Sequence, residues 1–376
     1  MIIHLLKNNP LMGRLVSLFE DVNHGNNLYF VHGKLGALNS KNEEKFTTPN
    51  FIYFDEASQD LLDRFNTECK ESDLLMIQAG TSINQVILNQ LKEDIPKHLF
   101  FWGFETYLHH YFFYKQIFKG TRKFSHPETS WFKASFMDFK RYIKEWLNDR
   151  TRFQYLDKID SFSAGFVEEA SWMKKHINLN KPFLPFTFYS HVLENHKHTY
   201  NPVSTKILLG NSATNTMNHV DAIPILKKTY FDKLIIPLSY GNANYRDFVM
   251  ARFSSEFEDS KLHFLIDFMD LKEYELLMGT CGIVWINAYC QQAVGNCINA
   301  LSKGCALFFP EKSFLYKGFT TLGYKVYSAD ELPGFSLQKH IESAMIKNFT
   351  VFKSDRSPET QRRQVFDIMK FHNANS

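Results

Sequence analysis

At 376 residues the chain is long enough for two domains of ordinary size, each with its own core. Its 44% hydrophobic and 22% charged residues exclude a disordered chain. A formal charge of +3 is too mild to argue for nucleic acid, and no apolar run approaches the roughly 20 residues of a spanning helix, so the expectation is a cytoplasmic protein with no nucleic-acid partner.

In chain order, Met1 to Leu6 is too short for a signal peptide and reads as an opening strand. Further short apolar runs follow at 28–31, 51–54, 74–77, 99–102 and 162–166, with helix-like stretches at 56–70 and 82–91 between them. Strands alternating with helices predict βαβ units and a parallel sheet. Residues 107–153 break the pattern: ten Lys and Arg, against four Asp and Glu, are interleaved with Tyr111, Phe118, Phe124, Trp131, Phe136, Phe139 and Trp146. Such a segment suits a surface of anionic lipid head groups, or equally an insertion whose rings fill a core while its charges face water.

Two Pro-containing stretches, 181–186 and 201–202, bracket a His-rich polar run and set the domain boundary. The expected division is 1–185, carrying the basic aromatic insertion, and 186–376. Strands recur in the second half at 206–209, 234–237, 262–266, 283–286 and 306–309, predicting a second Rossmann-like domain and a cleft between the two as the active site. The tail, 356–372, reads as a helix that packs back on the first domain. Cys69, Cys281, Cys290, Cys297 and Cys305 are odd in number and lack paired CxxC spacing, so they read as small buried hydrophobes and not as disulfides or metal ligands.

Two loops carry the candidate chemistry. Gly210, Asn211 and Ser212 follow the run Ile207-Leu208-Leu209, where glycine permits a tight turn and close approach of a ligand. Gln292, Gly295 and Asn296 follow Ile283-Val284-Trp285-Ile286, at the start of a helix whose free N–H groups and positive dipole end suit a diphosphate. Ligands of open parallel sheets sit outside the carboxyl ends of strands, which makes this half the site of a nucleotide. His219 is a candidate for phosphate or sugar contact or a solvent-facing side chain. Tyr240 and Tyr274 are candidates for base or sugar contact, Tyr274 also for a core anchor. No Walker, HExxH, GxSxG or complete GxGxxG sequence is present, and two Rossmann-like domains without these signatures fit a GT-B glycosyltransferase, an α/β fold.

Ile207-Leu208-Leu209-Gly210-Asn211-Ser212 with Asn218-His219, Ile236-Pro237-Leu238-Ser239-Tyr240-Gly241, Asp270 to Leu277, Gln291 to Asn296, Gly304 and Glu311-Lys312-Ser313-Phe314 resemble the ordered blocks of glycosyltransferase family 56, the 4-alpha-L-fucosyltransferases. The resemblance implies transfer of N-acetylfucosamine, or a related deoxy sugar, from a nucleoside diphosphate, TDP favoured, to a polyprenyl-diphosphate-linked or other glycan acceptor. That work belongs to cell-surface polysaccharide synthesis, with the protein peripheral on the inner face of the membrane and no cofactor or metal needed. It also gives Glu311 a role on ribose hydroxyls. In the first half, Phe100 to Tyr107 resembles a family block that carries Asp where this chain has Glu105. Glu105 is the candidate catalytic base, since the acceptor hydroxyl needs a carboxylate or His in hydrogen-bond reach, and His4, His32 and Asp55 are the other candidates. The alternative functions are a non-catalytic nucleotide-sugar-binding scaffold of the same fold and a GT-B nucleotide-sugar epimerase.

Overall fold

The computed structural model describes residues 1–8, 12–33, 50–79, 81–103, 116–125, 136, 139, 140, 143, 154–187 and 204–374. The chain forms two compact units, Met1–Thr106 with Leu147–Phe188 and Pro358–Ser376, and Tyr107–Trp146 with Tyr189–Ser357.

In the first unit, β1 (Ile2–Lys7), β2 (Asn27–His32), β3 (Phe51–Phe54), β4 (Leu74–Gln78), β5 (Lys97–Phe100) and β6 (Ser161–Ser163) form one parallel sheet in the order β3-β2-β1-β4-β5-β6. β4, Leu-Leu-Met-Ile-Gln, is buried along its whole length, as expected of a strand covered on both faces. The helix Met12–Val22 turns Met12, Leu15, Val16, Leu18 and Phe19 inward, one stripe at helical spacing. Ser58 and Thr81 cap the helices Gln59–Lys70 and Ser82–Gln90, each side-chain oxygen accepting an N–H of the first turn at 3.3 Å.

The C-terminal helix Pro358–Asn373 belongs to this unit through a hydrogen-bond chain whose direction is fixed. Ser163 Oγ donates to the Leu184 carbonyl at 2.6 Å and therefore accepts from His98 Nε2 at 2.9 Å. His98 Nδ1 is then an acceptor for Ser161 Oγ at 2.7 Å, and Ser161 in turn accepts from His372 Nε2 at 2.7 Å. Burial holds the His98 imidazole well below the usual histidine range, and that of His372 below it too.

Of the alternative base candidates, His4 lies inside β1, fully buried, stacked on Phe19 and Tyr29 at 4.3 and 4.8 Å, with Nε2 3.0 Å from Asn27 Oδ1. It is a core residue. His32 ends β2, and Asp55 is exposed just past β3. Glu105 lies outside the described residues.

The second unit repeats the plan: β7 (Ile207–Leu209), β8 (Leu234–Pro237), β9 (Leu262–Leu265), β10 (Ile283–Trp285), β11 (Ala306–Phe309) and β12 (Tyr327–Ser328) lie parallel in the order β12-β11-β10-β7-β8-β9. In each sheet the strand order reverses between the first and fourth strands, which is where Rossmann-type sheets open a crevice. Trp285, Tyr245, Phe253 and Phe308 fill the core of this unit.

The sequence pattern places 107–153 in the first domain, but residues 116–125 pack in the second unit. The cause is local chemistry. Asp221 accepts the backbone N–H groups of Gly120 and Thr121 at 2.6 and 2.8 Å and the Thr121 hydroxyl at 2.7 Å, and Phe124 seats its ring between Tyr245 and Phe248, 5.2 and 5.5 Å between centroids. Among the described residues no helix is long and apolar enough to cross a membrane.

Candidate active site

The site is built at the carboxyl edge of the second sheet, where β7 and β10 diverge. Gly210, with φ +77°, donates its N–H to the Trp285 carbonyl of β10 at 2.8 Å and turns the chain out of β7. A β-carbon here would come 2.5 Å from His219 Nε2, so the bare glycine is what lets the imidazole lie against it. His219 is fully buried, and burial pushes its pKa down to about 3. Its backbone N–H donates to the Tyr245 phenol oxygen at 3.3 Å, and Nδ1 lies 3.3 Å from the same oxygen. His219 is thus neither solvent-facing nor on the pocket surface.

Backbone pairing aligns the loops after β7 and β8. Ala213 N–H donates to the Tyr240 carbonyl at 2.7 Å and Asn242 N–H to the Ala213 carbonyl at 2.9 Å; a β-carbon at Gly241 would strike that same carbonyl at 2.5 Å. The alignment brings Asn211 Nδ2 to 2.8 Å from the Tyr240 hydroxyl. Across the edge, Asn296 stands in the first turn of the helix Val294–Ser302, and its Nδ2 lies 3.1 Å from the Tyr274 hydroxyl. Tyr274 comes from the helix Leu271–Gly279, whose first turn Asp270 caps at Lys272 N, 2.9 Å. Burial raises the Tyr274 phenol above its ordinary range, so it serves as a neutral hydrogen-bonding group.

Asn211, Tyr240, Tyr274 and Asn296 line one pocket of about 180 Å³, with Asp267 and Phe268 on its β9 side. Phe268 is 85% exposed and Tyr240 54%, two rings open to a planar ligand, while Asp267 supplies a carboxylate. The loop after β9 was not among the residues singled out from sequence. Its position directly past the carboxyl end of a strand was the available signal, the same one that marked the loops after β7 and β10.

The remaining candidates hold the edge together or stand apart. Gln292 bridges the two loops: its Oε1 accepts from Thr216 Oγ1 at 2.8 Å and its Nε2 donates to Thr214 Oγ1 at 2.9 Å. Ser212 is buried, 3.1 Å from Thr214 Oγ1. Gly295 is the second residue of the helix Val294–Ser302, which follows Ala293, a residue in the left-handed conformation at φ +59° that turns the chain into that helix. The first-turn N–H groups of Val294, Gly295 and Asn296 therefore face the carboxyl edge of the sheet. Glu311 is exposed in the turn after β11 and does not line the pocket.

With this geometry in place, residues 163–318 match the family model for 4-alpha-L-fucosyltransferase, glycosyl transferase group 56. The chain is a glycosyltransferase. The matched segment contains every strand of the second sheet except β12, and all the pocket residues. No curated protein matches the chain in sequence. In structure this glycosyltransferase is similar to sucrose-phosphate synthase from Thermosynechococcus elongatus, at TM-score 0.65 and 9% identity over 100% of each chain. It is similar to HepE from Anabaena in complex with UDP, at TM-score 0.63 and 10% identity over 98% of this chain and 100% of that one. A glycosyltransferase from Rickettsia africae gives TM-score 0.63 and 10% identity over 100% and 99%. At such identities the likeness establishes the fold, which is GT-B.

Proposed function

We propose that this glycosyltransferase moves N-acetylfucosamine, or a related deoxy or amino-deoxy sugar, from a nucleoside diphosphate, TDP favoured, to a glycan acceptor carried on polyprenyl diphosphate. The observation that carries the reading is the convergence of Asn211, Tyr240, Tyr274 and Asn296 on one pocket beside the start of the helix Val294–Ser302. The Tyr240 and Phe268 rings suit a nucleobase, and the helix start suits the diphosphate, because unpaired N–H groups and the dipole favour negative charge there. HepE was crystallised with UDP and with UDP-glucose, which supports a nucleotide-sugar donor for this fold. The family match supports a fucose-like sugar.

In this reaction the acceptor hydroxyl attacks the anomeric carbon, the bond from that carbon to the diphosphate oxygen breaks, and a base takes the hydroxyl proton. The helix start and the amides of Asn211 and Asn296 stabilise the charge that develops on the departing diphosphate. Glu105 is the proposed base, and Glu311 the proposed ribose contact.

The acceptor proposed here stays in the bilayer, which places the enzyme on the inner face of the membrane. Phe136 and Phe139 are 56% and 55% exposed, and Lys140 Nζ sits 4.8 Å from the centroid of the Phe136 ring. Rings and cations turned to solvent together favour anionic head groups.

A thermal-shift series with TDP-, UDP- and GDP-sugars tests the donor, followed by transfer to a lipid-linked acceptor. Binding without turnover identifies a scaffold, and sugar inversion without an acceptor identifies an epimerase; either result overturns the proposal.

A further inference from the structure

Asn218 follows the turn Asn215–Met217 at φ +49°, ψ +39°, a left-handed conformation that asparagine tolerates better than most residues. It is fully buried and is not among the residues lining the pocket of Asn211 and Tyr240, yet it meets two distant stretches of chain besides its own turn. Its Oδ1 accepts the Phe118 N–H at 2.7 Å. Its Nδ2 lies 2.9 Å from the Gln116 carbonyl, 2.9 Å from the Thr216 carbonyl and 3.2 Å from the Asn287 carbonyl. Asn287, buried just past β10, answers by donating its own Nδ2 to the Asn218 carbonyl at 2.9 Å. Each side-chain amide thus reaches the other residue's backbone carbonyl and ties together the loops that follow β7 and β10. Three residues on, Asp221 grips the backbone of Gly120 and Thr121.

We propose that Asn218 is a positioning residue of the donor site, tying residues 116–121 to the loops after β7 and β10 so that docking of this segment and ordering of the diphosphate-binding edge are one equilibrium. The physical reason lies in what each partner loses alone. With 116–121 undocked, the buried Asn218 Oδ1 and the partly buried Asp221 carboxylate lose their N–H donors, and an acceptor left without a partner is costly to the extent that it stays out of water. The loop can recover partners only by rearranging. That loop also carries Gly210 to Ser212, and it is stitched to the start of the helix Val294–Ser302 through Gln292 with Thr214 and Thr216. A ligand that orders the edge must then favour the docked segment, and the docked segment must favour the ligand by the same factor.

This inference rests on the reading of the pocket as a nucleoside diphosphate site, and the test separates the two. Hydrogen exchange of the full chain is followed with and without saturating TDP, UDP and GDP, and the dissociation constant of whichever binds is measured for the wild type, Asp221→Ala and Asn218→Asp. Asp221 holds the segment and is not among the residues lining the pocket, and Asn218→Asp keeps the acceptor for Phe118 N–H while losing the amide donors. The expected result is slower exchange at Phe118, Gly120 and Thr121 on ligand binding, and roughly 5–10-fold weaker binding in each variant. Catalysis at saturating donor should stay within about threefold, a KM-type loss that general destabilisation does not produce. Asp221→Asn, which retains one acceptor oxygen, should recover part of the affinity. Binding in the wild type with unchanged exchange at 116–121, or an Asp221→Ala protein that frees the segment at unchanged affinity, overturns the coupling. Absence of binding for all three diphosphates overturns the pocket reading itself.

Discussion

His219 lies beneath Gly210 so closely that the glycine's missing side chain is part of the site. The imidazole Nε2 occupies the place a β-carbon would need, 2.5 Å away, and the residue sits at φ +77°. Gly210→Ala should therefore lower unfolding stability by about 1–3 kcal/mol from strain and overpacking together. The double variant with His219→Ala should lose less than the sum of the singles, because removing the ring opens the space. Urea denaturation of the four proteins checks it; strict additivity would show that the two residues do not interact.

The start of the helix Val294–Ser302 gives a second expectation. Gly295→Asp places a carboxylate where the diphosphate is proposed to bind, in a partly buried setting where like charges repel more strongly than in water. Nucleotide binding should disappear while the circular dichroism spectrum and melting temperature stay close to wild type, since an acidic residue in a first helical turn is well tolerated. Retained affinity in the folded variant rules out this placement.

For the chemistry, Glu105→Gln should leave donor affinity nearly unchanged and reduce turnover by about 10²-fold or more, the scale for removing a general base. Near-normal turnover would transfer the role to another group, with Asp55 and His32 next. His4 is a poor substitute, since it is enclosed within β1.

Acid should destabilise the protein in a defined window. Burial lowers His4 to about 4, His219 to about 3 and His340 to about 4, all below the unfolded value near 6.5. Between those limits the unfolded chain binds more protons than the folded one. Stability is therefore fully present above pH 6.5 and falls as pH drops, by up to about 1.4 kcal/mol per pH unit for each histidine, levelling near pH 3–4. Denaturation midpoints at pH 7.5, 6, 5 and 4.5 should decline accordingly. His4→Gln should flatten the slope, and a slope unchanged in that variant would remove His4 from the account.

The membrane proposal predicts binding to vesicles containing anionic lipid that weakens as salt rises, since head-group attraction is screened over about 8–10 Å at physiological ionic strength. Replacing Phe136 by Ser should reduce partitioning with little change in melting temperature, because more than half of its ring is exposed. Lys140→Glu together with Arg141→Glu and Lys144→Glu should release the protein while sparing transfer to a soluble acceptor analogue. Indifference of the wild type to anionic vesicles at low salt removes the peripheral location.

Much of the fold was legible because it rests on local signals. Runs such as Leu74-Leu75-Met76-Ile77 and Ile207-Leu208-Leu209 are apolar on both faces, as strands of a sheet covered on both sides must be, and their alternation with helix-like stretches pointed to parallel βαβ units and the α/β class. The loops after β7 and β10 were legible for the same reason, since glycine and neutral amides directly past a strand mark a carboxyl edge. The tertiary structure decided what depends on distant partners. It paired Asn211 with Tyr240 and Asn296 with Tyr274, enclosed His219, gave Gln292 to the bridge between loops, and brought Asp267 and Phe268 to the pocket. It also assigned residues 116–125 to the second unit through Asp221 and Asn218, about 100 residues away. Sequence spacing carries no record of such contacts: burial and hydrogen bonding fix them only once the sheets have closed and each buried donor must find an acceptor.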